Sequence, residues 1–107
     1  MTGYILAKAA EADVRDIMQY TRKQWGAPQM RRYIAALKQG ITGLAAGQGA
    51  SKDMSALYPS LRMARCEHHY VFCLSRKDAP ALIIAIFHER MDLMTRLADR
   101  LNDQGSN

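Results

Sequence analysis

The chain has 107 residues, 49% of them hydrophobic and 23% charged, which suits one globular domain over residues 1–107 and leaves no room for a second core. No run approaches about 18 apolar residues, and Met1–Tyr4 lacks a basic stretch leading into an apolar one, so neither a membrane span nor a secretory leader is expected. The net charge of +5 and pI near 9.5 favour acidic partners, either nucleic acid or an acidic protein segment.

Tyr4-Ile5-Leu6 is a short strand candidate. Ala10, Val14, Ile17, Met18, Thr21 and Trp25 then recur at helical spacing and predict an apolar stripe on a first helix. Gly26 suits its C-terminal stop, and Pro28 suits the first turn of the next helix. Met30, Tyr33, Ile34, Leu37, Ile41 and Leu44 share one face of that second helix. So short a connection predicts an antiparallel helical hairpin. Gly40 and Gly43 each weaken a helix interior by about 1 kcal/mol relative to Ala, which blurs where it ends. Residues 47–51 read as a flexible connector within one domain.

Three strand-like segments follow. Leu61, Met63 and Arg65 alternate with Arg62, Ala64 and Cys66, and Tyr70, Phe72 and Leu74 alternate with Val71 and Cys73. A two-residue turn at Glu67-His68 pairs Leu61 with Leu74, Met63 with Phe72 and Cys66 with His69, which keeps apolar partners together. Leu82–Phe87 is dense enough to be a central strand buried on both faces. Asp92 is placed to cap a last helix with Met94, Leu97 and Leu101 as its stripe, and residues 102–107 form the expected tail of a 3–101 core. The fold class is therefore α+β in the order β-α-α-β-β-β-α, with an antiparallel sheet packed against the N-terminal helical hairpin and its other face partly open.

Cations gather in the middle of the chain. Residues 28–58 hold Arg31, Arg32, Lys38 and Lys52 against Asp53, and residues 59–90 hold Arg62, Arg65, Arg76, Lys77 and Arg90 against Glu67, Asp78 and Glu89. Arginines on a short sheet suit carboxylate or phosphate, because the guanidinium offers planar multi-donor contacts. Cys66 and Cys73 fit a reducing compartment, lie too far apart for a bridge, and with His68 and His69 lack metal-ligand spacing. No metal and no cofactor are expected. The methionines default to core packing, or to a groove beside the hairpin.

Four motifs in this order resemble the ParE-type toxins of the RelE/ParE superfamily, over roughly Tyr4–Leu101. They are Tyr20-Thr-Arg-Lys-Gln-Trp25-Gly26, Pro59-Ser-Leu-Arg62, His69-Tyr-Val-Phe72 and Ile86-Phe-His88-Glu-Arg90-Met91-Asp92. Pro59-Ser-Leu-Arg62 is similar to the family's Pro-Gly-Leu-Arg, and Cys66-Glu67-His68 replaces the glycine common in its hairpin turn. The resemblance implies a cytoplasmic toxin that inhibits DNA gyrase by binding, without catalysis, and that is neutralised in a hetero-oligomer by a small acidic antitoxin. On this reading Arg62, Arg65, His68, His69, His88, Glu89 and Arg90 form the target surface. Trp25, Met30, Arg31, Tyr33 and Leu37 line an antitoxin groove. The alternative is the ribosome-dependent mRNA endoribonuclease of the RelE branch. That branch carries an arginine where Val71 stands and a tyrosine near its C-terminal end, and none follows Met91 here.

Overall fold

A computed structural model of the chain describes residues 3–105. The elements are β1 (Tyr4–Leu6), α1 (Lys8–Trp25), α2 (Ala27–Ala45), β2 (Lys52–Asp53), β3 (Leu61–Cys66), β4 (His69–Leu74), β5 (Ala81–His88) and α3 (Leu93–Gly105). The order is the expected one with a two-residue strand, β2, added at the end of the connector. The expected tail coincides in part with the last turn of α3, and residues 106–107 lie outside the described ones.

Gly26, at φ 91°, separates the two helices, and Pro28 lies in the first turn of α2. The helix runs through Gly40 and Gly43 to Ala45. Gly40 sits where a Cβ would lie 2.5 Å from Cys66 Sγ and 3.0 Å from its Cβ, so its missing side chain lets α2 press onto β3. Leu37, Ile41 and Leu44 are 1–2% exposed and meet Val71, Cys73, Ile83 and Ile86 on the sheet. Each such burial stabilises the fold by roughly 1.5–3 kcal/mol.

The sheet order is β1-β5-β4-β3-β2. The β3–β4 register is the one expected from the alternation, Leu61 opposite Leu74 through Cys66 opposite His69. β1 adds to β5 in parallel, so the sheet is mixed while its four other strands are antiparallel. Its second face is more covered than expected. Leu61, Phe72, Ile84, Ala85 and Phe87 bury against Leu97 of α3 and Met54 of the loop before β3.

β1 reaches only Ala81–Ile83, and beyond it β5 would present a bare edge. Two charged side chains occupy that edge. Asp13 of α1 accepts the Ile86 N–H at 2.9 Å, and Arg100 of α3 donates to the Ile84 carbonyl at 2.7 Å and to Asp13 at 2.9 Å. The Arg100 guanidinium also stacks 5.0 Å from the Phe87 ring centroid. Ile84 is the extra residue of a β-bulge, because Phe72 faces Ala85 while Cys73 faces Ile83. Asp92 caps α3, accepting the Thr95 backbone N–H at 3.4 Å and the Thr95 hydroxyl at 2.9 Å.

Candidate functional site

The first half of α2, the β3–β4 turn and the end of β5 meet at one end of the molecule. Tyr33 accounts for this, since its hydroxyl lies 2.6 Å from His69 Nδ1 and accepts the His68 backbone N–H at 3.0 Å. With the His69 proton on Nε2 the phenol donates to Nδ1; with it on Nδ1 the ring donates to the phenol oxygen. His69 is 8% exposed and stands edge-on to His88, with ring centroids 5.1 Å apart. Desolvation, then the neighbouring His88 and His68, depress its pKa to about 4 against weaker opposition from Glu89 and Asp13. The imidazole is therefore neutral at pH 7. Burial raises the Tyr33 pKa, with Glu67 and Glu89 adding to it and the His68 N–H opposing.

Outside the buried His69 and the half-buried Tyr33 lies an exposed charged layer. Arg65 pairs with Glu89, and His68 Nδ1 sits 3.1 Å from the other Glu89 oxygen. Desolvation works against ionisation of Glu89, but the His68 hydrogen bond and Arg65, with both imidazoles, outweigh it and hold the carboxyl below its ordinary range. His88 Nδ1 accepts the Arg90 backbone N–H at 3.1 Å. The Arg90 side chain is exposed and unpaired among the described residues. Among the described residues no three His, Cys, Asp or Glu side chains are placed to share a metal ion. Cys66 and Cys73 are free and buried. Burial raises both thiol pKa values, with Glu67 adding at Cys66 and Arg62 opposing at Cys73.

The residues singled out in the sequence divide into three groups. Arg65, His68, His69, His88, Glu89 and Arg90 come together at this end. Arg62 does not, because it lies at the far end of β3, where Nε donates to Ser75 Oγ and Nη2 to the Leu44 carbonyl, both at 2.9 Å. It ties the last turn of α2 to the sheet. Of the five groove residues, Leu37 is core, Met30 and Tyr33 pack against the core, and Trp25 and Arg31 are exposed at the hairpin end. Tyr33 thus bridges the two sets. An apolar groove of about 710 Å³ that the sequence did not signal lies beside α3, lined by Leu57, Tyr58, Met94, Leu97 and Leu101.

A family model described as the ParE toxin of the type II toxin–antitoxin system parDE matches residues 4–93. The chain belongs to the ParE toxin family. It is 71% identical over 101 residues to "Toxin ParE" of Escherichia coli, covering 94% of this chain and 98% of that one. It is 29% identical over 97 residues to "Toxin ParE1" of Caulobacter vibrioides, covering 91% and 99%. In fold it is similar to a solved chain titled "Chromosomal ParDE TA system from P. aeruginosa", at TM-score 0.66 and 18% identity, covering 82% of this chain and 96% of that one. Family membership makes the Pro59–Arg62 and Ile86–Asp92 segments readable as family features. Ser60 takes a φ of 66°, a left-handed backbone conformation that glycine adopts without strain. No helix in the described residues is long and apolar enough to cross a membrane.

Proposed function

We propose that this toxin acts in the cytoplasm by binding DNA gyrase on DNA, breaking no bond itself. A cognate antitoxin, small and acidic with a segment that folds on binding, neutralises it in a hetero-oligomer. The ParE relatives and the ParDE title of the structural neighbour support the module. The observation that carries the non-catalytic reading is Val71. Where the nuclease branch has an arginine, this chain has a fully buried side chain packed under the helical hairpin. The enclosed, neutral His69, held by Tyr33, fits a positioning role better than proton transfer at a surface. Arg65, His68, Glu89 and Arg90 then form the contact surface for the target, with the guanidinium of Arg90 free to pair.

Inducible expression in bacteria tests this. Filamentation with a DNA-damage response and intact transcripts is expected, whereas ribosome-dependent transcript cleavage with undamaged DNA would overturn the proposal. Replacing both Arg65 and Arg90 by alanine should abolish growth arrest while antitoxin capture persists. Arg62→Ala should instead lower stability by about 0.5–1.5 kcal/mol, because it removes the two hydrogen bonds that tie the last turn of α2 and Ser75 to β3.

A further inference from the structure

The last turns of α1 and the first turns of α2 hold side chains that the fold does not need. Trp25 is 70% exposed and Tyr20 64% exposed, although helical spacing placed Trp25 on the buried stripe. Tyr20 and Trp25 lie on either side of the buried Ile17 and Thr21 on α1, and Arg22, Lys23, Arg31 and Arg32 are exposed on the neighbouring turns. Among the described residues, Arg22, Lys23 and Arg31 make no side-chain bond, and Arg32 bonds only Gln29. Arg22 and Lys23 suit the C-terminal end of a helix dipole, but Arg31 and Arg32 follow a first turn that holds no acidic residue to balance the positive end of α2. From residue 17 to residue 52 the chain has no Asp or Glu at all.

We propose that this hairpin end is a contact site for single-stranded nucleic acid, with Trp25 and Tyr20 stacking on unpaired bases and the four cations neutralising phosphates. Flat exposed aromatics among unpaired cations are the combination such strands require, since every base offers a π face and every linkage a charge. An acidic peptide would satisfy the cations but leave both aromatic faces without a matching partner. The apolar groove beside α3 and the cleft lined by Ala35, Lys38, Thr42 and Gln48 do not include the patch. For its setting the inference rests on the gyrase reading, in which DNA opened by the enzyme would lie within reach. Binding to bare DNA needs no gyrase, so the two readings fail separately.

Trp25 is the chain's one tryptophan, so its fluorescence reports on the site alone. Titration of the full chain with a mixed-sequence single-stranded oligodeoxynucleotide at 50 mM salt should quench it saturably. Neutralising four phosphates predicts roughly 50-fold weaker binding at 200 mM salt. With a dye-labelled oligonucleotide, Trp25→Ala should weaken binding at least about fivefold while Trp25→Phe changes it little, since one base stack is worth about 1–3 kcal/mol. Arg31→Ala with Arg32→Ala should roughly halve the salt slope. Circular dichroism should show all variants folded, because the changed residues are exposed. The proposal is overturned by any of three results: no binding at 50 mM salt, equal affinity for polyglutamate or for duplex of the same length, or unchanged affinity in Trp25→Ala.

Discussion

Ser60 holds a φ of 66°, in the left-handed region where a side chain is strained. Its carbonyl accepts the Ser75 N–H at 3.0 Å, so the turn is fixed from outside. Ser60→Gly should therefore raise the unfolding free energy by up to about 1 kcal/mol, read by urea denaturation. A lower value would mean that glycine's gain in unfolded-chain entropy outweighs the relieved strain. His69 gives the second prediction. Its folded pKa of about 4 lies below the ordinary histidine value of 6.5, so well above pH 6.5 it is neutral in both states and full stability is present. As pH falls from there toward 4 the unfolded chain takes the proton first, and stability is lost. Unfolding measured at pH 7.5 and at pH 5.0 should differ by about 2 kcal/mol from this group. The difference should shrink in His69→Gln; if it persists there, other groups are responsible.

α2 and β3 are joined by close approach at one position. Gly40→Ala would drive a methyl group into Cys66, an overpacking cost of about 1–3 kcal/mol that exceeds the roughly 1 kcal/mol gained in helix propensity. Cys66→Ala removes the obstructing sulfur, so the double variant should recover part of the lost stability. Additive losses in a double-mutant cycle would show that the contact is not what the glycine serves. The β3–β4 hairpin was legible in the sequence because strict alternation and a two-residue turn allow one register that pairs Leu61 with Leu74 and Met63 with Phe72. The parallel seat of β1 was not legible. Three residues contain no register information, and their partner Ala81–Ile83 lies some 75 residues away in sequence. Arg62 was misplaced for the same reason, since its acceptor at Leu44 belongs to another element. Periodicity put Trp25, Met18 and Met94 on apolar stripes, yet they are 70%, 36% and 52% exposed. Spacing reports which face a residue shares, and not whether anything covers that stretch of helix.

At the scale of the molecule, one end gathers Tyr33, His69, His88, Glu89, His68, Arg65 and Arg90, with the hairpin end beyond them. The other end has Arg62 closing the helices onto the sheet. Six of the seven residues that the sequence proposed for the target surface lie together at this end, because the motifs that suggested them fall at the ends of β4 and β5. The sequence missed that Tyr33 belongs with the histidines, since only the packing of α2 against the β3–β4 turn brings them together. The most direct measurement mixes purified toxin with gyrase, ATP and relaxed plasmid, then counts broken plasmid after protein denaturation and digestion. Double-strand breaks should rise with toxin, require gyrase, and vanish for Arg65→Ala combined with Arg90→Ala. Plasmid supercoiled as usual in the presence of active toxin, with ribosome-bound RNA cut instead, would contradict the account.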